Sequence, residues 1–171
     1  TAQVTPFHLQ PIHEVPPQPT GTFVSRILPE KIPKVSIIIP CKLGTTLAIG
    51  TTNIKVLEHC LQSIRRSLPK TEQPTLASPE VEIILVLNHR DDIESADHII
   101  SNYGFYGYSI CDDEGFNFSR KCNLGVAHAS GEIIVILNDD TDMQTVGWTS
   151  HIISLLQEED VACVGGMLLN L

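Results

Sequence analysis

"GEIIVILNDDTDMQTVGW", residues 131–148, joins an unbroken apolar run to a burst of carboxylates. Ile133 to Leu137 follow one another without the polar alternation of a strand that has one wet face. A run of this kind is expected of a strand covered on both sides, as in a parallel sheet. At Asn138 the apolar residues stop, and Asp139, Asp140 and Asp142 follow around Thr141. Carboxylates packed this closely repel one another unless a cation or raised pKa values relieve the repulsion.

The same texture recurs on either side. "VSIIIP" (35–40) and "VEIILVLN" (81–88) read as buried strands, and "GYSICD" (107–112) as a third. The quoted run is then the fourth, and "VACVGGMLL" (161–169) a fifth. Between them, Leu57, Leu61, Ile64 and Leu68 recur at helical spacing, and "DIESADHIISNYG" reads as a short helix ending near Gly104. "FNFSRKCNLGVAHASG" places Phe118, Cys122, Val126 and Ala129 on one helical face, with Gly131 as the residue just past the helix end. "VGWTSHIISLLQ" is a further amphipathic helix, with Trp148 expected in the core. "LGTTLAIGTTN" and "PKTEQPTLASP" read as loops. Strands alternating with helices predict an α/β fold, a mostly parallel sheet with helices on both faces and right-handed crossovers. In such sheets the ligand lies outside the carboxyl ends of the strands, which is where Asp139, Asp140 and Asp142 fall.

The chain has 171 residues, 42% of them hydrophobic, enough for one domain with a real core. Residues 1–33 hold seven of the eleven prolines and no periodic pattern, so they are expected to form an extended arm before a domain at 34–171. The formal net charge of −9 argues against nucleic acid or an anionic membrane surface as partner. No apolar run reaches the roughly 18 residues of a membrane span, and no secretory leader is visible. The chain begins at Thr1 rather than Met, which leaves room for processing or trimming. Five widely spaced cysteines without a CxxC pair fit buried thiols in a reducing, cytoplasmic setting.

Oxygen ligands with no Cys or His beside them favour a hard divalent cation, Mg²⁺ or Mn²⁺, whose shell substrate phosphates and water would complete. The competing reading is an Asp-rich turn in which Asp139 or Asp142 caps the next helix near Thr145. Arg120 and Lys121 fall in the first turn of their helix, where the macrodipole disfavours cations unless an anion binds there too. Together these features point to a diphosphate bridging cation and helix. A twelve-residue calcium loop and a Gly-rich phosphate loop are both absent from the sequence.

"VSIIIP", "VEIILVLNHRDD", "FNFSRKCNLGVAHASGEIIVILNDDTDM" and "GWTSHIISLL…VACVGGMLL" occur in the order found in family 2 glycosyltransferases of the GT-A fold, which the chain resembles from Lys34 to Leu171. The likeness is greatest to bacterial members that build cell-surface polysaccharide. It implies an inverting, metal-dependent transfer from a nucleotide-diphosphate sugar to a glycan or lipid-linked acceptor. Asn138, Asp139 and Asp140 occupy the DxD-type motif, with Asp140 and Asp142 implied as metal ligands and Asn138 and Asp139 as donor contacts. Pro40, Asn88, Asp92, Arg120, Lys121 and Asn123 fill further donor-binding positions.

Three positions depart from the family pattern. Leu87, followed by Asn88, stands where the family has a base-reading Asp, so the resemblance does not choose among UDP, GDP and dTDP. Cys122 stands where Arg is usual, and "CKLG" with an insertion replaces a short turn after Pro40. Members of the family continue into an acceptor-binding half that carries the catalytic base, so no base is assigned within this chain. "QEED" (157–160) reads as a solvated helix end. A non-catalytic donor-binding or scaffold module and a nucleotidyltransferase-like protein are the rival readings, and an exposed sheet edge would favour a homo-oligomer.

Overall fold

In the computed structural model residues 34–49, 51–69 and 80–169 are described; the expected arm at 1–33 and all but the first residue of the loop at 69–79 lie outside them. The order is β1 (Val35–Pro40), β2 (Thr46–Ile49), β3 (Thr52–Lys55), α1 (Val56–Ser67), β4 (Val81–Leu87), a 3₁₀ turn (Arg90–Asp92), α2 (Ile93–Asn102), β5 (Tyr106–Cys111), α3 (Phe118–His128), β6 (Ile133–Ile136) and α4 (Trp148–Leu156). β2 and β3 form a separate antiparallel hairpin. The main sheet runs β5-β4-β1-β6, and every pairing in it is parallel.

β1 and β4 are buried at every residue because helices cover both faces. Ile37, Ile39, Ile83, Leu85 and Leu87 meet Leu57, Leu61 and Ile64 of α1, Ala96 and Ile100 of α2, and Trp148. Ile38, Ile84 and Val86 point the other way, with Leu124 of α3 packed against them. Each fully buried aliphatic side chain contributes about 1.5–3 kcal/mol, so the continuous apolar runs account for most of the driving force. α3 lies close on β1, since a Cβ at Gly125 would stand 2.3 Å from Ile38 Cγ2.

The parallel register brings one set of strand ends together. Val35 pairs with both Val81 and Ile133, and Leu87 pairs with Cys111. Beyond the last pairs, Cys41 N–H donates to Val86 O at 3.1 Å, Asp112 N–H to Leu87 O at 3.1 Å, and Leu137 N–H to Ile38 O at 3.0 Å. Residues 41, 88, 112 and 138 therefore share one edge. At the opposite edge Glu82 is fully buried. Its carboxyl group accepts from Ser36 Oγ (2.6 Å), Ser130 N–H (3.0 Å) and Ser130 Oγ (2.8 Å). Gly131 N–H donates to Ser36 Oγ at 2.8 Å, which ties the turn before β6 onto β1.

Several expectations need correction. The run at 133–137 is not covered on both sides: among the described residues β6 is an edge strand of the sheet, and Ile134 and Ile136 stay exposed on one of its faces. Residues 161–169 are irregular and largely exposed rather than a fifth strand; Gly165 and Gly166 interrupt the run. The expected loop at 43–53 contains a hairpin, which the Thr-rich, β-branched "TLAI" and "TNIK" support. Phe118 and Val126 are exposed, and α3 buries Lys121, Cys122 and Gly125 instead. Ala129 ends α3, so Gly131 is not its C-terminal cap. Its glycine is needed for packing: a Cβ there would lie 2.7 Å from Ser36 N. Trp148 is buried as expected, and its Nε1–H donates to Ser67 Oγ at 3.0 Å.

Candidate functional site

The carboxyl edge of the sheet collects Pro40 and Cys41 from β1, Asn88 from β4, Asp112 after β5 and Asn138 to Asp142 after β6. Three acids of the last segment diverge. Asp139 is partly buried; burial raises its pKa, with the neighbouring Asp140 charge adding to the rise, while a hydrogen bond from Lys42 N–H acts against both. Asp139 in turn helps hold the Cys41 thiol up at about 12, a shift caused first by burial. Asp140 is exposed. Asp142 turns to α1, where Oδ1 accepts from Arg66 Nη2 and Oδ2 from Gln144 Nε2 at 2.7 Å, with His59 Nε2 at 3.6 Å. Neither Asp139 nor Asp142 caps the following helix, whose N-cap is Gly147 in the left-handed region.

The two basic residues also have protein partners. Arg120 donates through Nε to Asp112 Oδ2 (2.8 Å), through Nη1 to Glu114 Oε2 (3.3 Å) and through Nη2 to Gly115 O (2.9 Å). Asn117 caps α3, its Oδ1 accepting from Arg120 N–H at 3.0 Å. Lys121 is fully buried, and its ammonium donates to Leu87 O. Burial lowers its pKa, and Asp112, Cys111 and Cys41 oppose the shift. The expected anion-binding pair is thus drawn into holding the ends of β4 and β5.

The remaining expected residues are spread around this edge. Asp92, in the 3₁₀ turn, lies near enough to Cys41 to raise the thiol's pKa slightly. Asn88 Oδ1 is buried and has no hydrogen-bond partner among the described residues; a buried acceptor left unpaired costs about 1–3 kcal/mol. Asn123 is exposed, off the buried 121–122–125 face of α3. Pro40 is buried at the end of β1. Asp112 and the α1 residues Ser63, Arg66 and Ser67 escape a reading of the chain in one dimension. They act across 8 to 81 residues of sequence, and no local pattern marks them.

The acids at this edge outnumber the bases, so an anionic diphosphate would be repelled without a divalent cation. Among the described residues no three His, Cys, Asp or Glu side chains are arranged to hold a metal ion. Asp140, with Asp139 beside it, fits a hard cation that draws most of its shell from phosphate and water. Asp142, expected as a second ligand, has both oxygens engaged by the protein.

A sequence profile described as glycosyl transferase family 2 matches residues 36–169. The chain is 30% identical over 141 residues to the uncharacterized protein y4gI of Sinorhizobium fredii, a match covering 81% of this chain and 14% of that protein. It is 27% identical over 137 residues to the O-antigen biosynthesis protein RfbC of Myxococcus xanthus, covering 80% and 9%. The chain therefore spans at most 14% of the length of these relatives. In three dimensions it resembles the mannosyltransferase PcManGT from Pyrobaculum calidifontis, solved with GDP-Man and Mn²⁺. The TM-score is 0.52 and the identity 19%, over 78% of this chain and 35% of that one. At that identity the likeness is one of fold: a mostly parallel GT-A sheet. Among the described residues no helix is long and apolar enough to cross a membrane.

Proposed function

The chain belongs to glycosyl transferase family 2, and on that premise we propose that residues 34–171 form the donor-binding part of an inverting, metal-dependent glycosyltransferase. The observation that carries this reading is the pair Asp139 and Asp140 at the carboxyl edge of a parallel sheet, held apart from the bases that neutralise Asp112 and Asp142. The donor is a nucleotide-diphosphate sugar, and the acceptor a glycan or lipid-linked saccharide. The relation to an O-antigen biosynthesis protein favours surface polysaccharide as the product.

Asp140 and Asp139 would hold Mn²⁺ or Mg²⁺, which when bound stabilises charge growing on the leaving diphosphate. Asn138 and Asp92 border the same edge and would orient the ribose and base. Asn88 Oδ1 is an acceptor awaiting a donor, as the ring N–H of uracil, thymine or guanine would provide. Asn123 would meet the diphosphate from α3. Lys121 and Arg120 act one step back, fixing the strand ends that carry these groups. Among the described residues none is assigned as the catalytic base.

Calorimetric titration of UDP, GDP and dTDP with and without Mn²⁺, on the wild type and on Asp140→Ala, tests the reading. Metal-dependent binding of one nucleotide, lost in the variant, is expected. The engagement of Arg120 and Lys121 by protein acceptors favours a second reading, a scaffold that keeps the fold without the site. Absence of binding to all three nucleotides would select it.

A further inference from the structure

The loop that follows β6 is held along one face of α1 over almost its whole length. Cys60 Sγ lies 3.7 Å from Asn138 O, and Ser63 Oγ accepts from Met143 N–H at 2.9 Å while donating to Cys60 O at 2.7 Å. Arg66 pairs with Asp142. Ser67 O accepts from Gly147 N–H at 2.8 Å, and Ser67 Oγ accepts from Trp148 Nε1–H. Positions 60, 63 and 67 recur every three to four residues and share one buried helical face, with the exposed Arg66 at its rim. Ser63 and Ser67 are buried polar residues inside an apolar helix face, which is costly unless their hydroxyls are used. Here each hydroxyl donates within α1, Ser63 to Cys60 O and Ser67 to Ile64 O at 2.8 Å, and accepts from the loop segment.

We propose that this face of α1 is a clasp that positions Asp139 and Asp140, with Ser63, Arg66 and Ser67 as positioning residues and Asp142 as the loop's own anchor rather than a cation ligand. The inference rests on the donor-site reading for its consequence, but the clasp itself is a matter of geometry. β6 ends at Ile136 and Leu137 makes the last backbone bond to β1; beyond it the sheet side offers Asp139 the Lys42 N–H, and the loop from Thr141 to Trp148 leans on α1. Among the described residues these side chains, His59 beside Asp142 and the Ser67 carbonyl supply the polar contacts between the loop and α1, while Leu137 and Met143 pack against the core that α1 shares. A cation drawing few ligands from the protein depends on their exact spacing, and supporting partners of this kind are typically worth about 10–100-fold in metal affinity.

A charge swap separates the anchor from a ligand. In the full chain, Arg66→Asp and Asp142→Arg are made singly and together, all at partly exposed positions where folding is expected to survive. Mn²⁺ binding is read by electron paramagnetic resonance, and exchange of the Met143 and Gly147 amides by hydrogen–deuterium exchange. Each single variant is expected to weaken Mn²⁺ binding about tenfold and to speed exchange at both amides, and the swap to restore both. If the swap restores amide protection but not Mn²⁺ binding, Asp142 is a ligand and the assignment is overturned. Unchanged exchange in the single variants overturns the clasp. If the wild type takes up no Mn²⁺, the donor-site reading falls, and the exchange data alone decide whether α1 holds the loop.

Discussion

The two edges of the sheet treat carboxyl groups in opposite ways. At the amino edge Glu82 is fully buried, yet three hydrogen bonds from Ser36 and Ser130 satisfy it and join β1 and β4 to the turn before β6. At the carboxyl edge Asp139 is only partly buried and Asp140 is exposed, and burial, with the Asp140 charge adding to it, raises the cost of charge on Asp139. A carboxyl group paired by its neighbours is a structural joint; two adjacent carboxylates with no base paired to them among the described residues are what the proposed cation site rests on. The contrast lies in the partners rather than in the residue type.

The largest effect on stability is therefore expected at the amino edge. Glu82→Ala strands the Ser36 and Ser130 donors in the interior and should cost roughly 3 kcal/mol or more, read as a lower urea midpoint with unchanged slope. Glu82→Gln should cost less, because one oxygen still accepts. Gly131→Ala, at the same joint, forces a Cβ against the Ser36 backbone and should cost about 1–3 kcal/mol. Equal stability in Gly131→Ala would mean that the turn can move, and that this edge is softer than its hydrogen bonds imply.

A smaller, pH-dependent effect belongs to the carboxyl edge. Burial pushes the Cys41 and Cys60 thiols from 9.0 up to about 12. The folded state then keeps protons that the unfolded chain releases, so this contribution is fully present below pH 9 and is lost as pH rises toward 12. Urea midpoints measured across the alkaline range should fall less steeply for a Cys41→Ala, Cys60→Ala double variant than for the wild type. Parallel slopes would remove both thiols from the account. The smallest stability change is expected for Asp140→Ala, within about 0.5 kcal/mol, because it relieves repulsion as it removes a surface group. Its effect should appear only in metal-dependent nucleotide binding. A loss of stability comparable to that of Glu82→Ala would make Asp140 a structural joint too.

Much of this contrast was legible in the chain. The strands at 35–40 and 81–88 announce burial on both faces, and the acids after Leu137 fall at the edge where α/β sheets bind ligands. Two kinds of feature were not legible. Glu82 sits second in an apolar run and would pass as a polar interruption; its partners lie 46 and 48 residues away. The apolar run at 161–169 carried a strand's composition, but strand formation needs a neighbour to bond with, and among the described residues none takes it up. Lys121 shows the same limit: its place in the first turn of a helix suggested an anion, whereas its ammonium caps a strand end in the interior.

What the sequence determined by itself was the class of fold, through apolar runs at 35–40 and 81–87 that only a doubly covered parallel sheet can bury, and the edge at which the acids gather, through the point where the apolar residues stop. Periodicity and burial are local properties, so they survive being read one residue at a time. Tertiary structure decided which charges are spent on the protein and which remain. Arg66 takes Asp142, Asp112 takes Arg120, Leu87 O takes Lys121, and Asp139 and Asp140 are left at the rim. Pairing of charges depends on distance in space, falling away over a few ångströms, and no spacing along the chain encodes it.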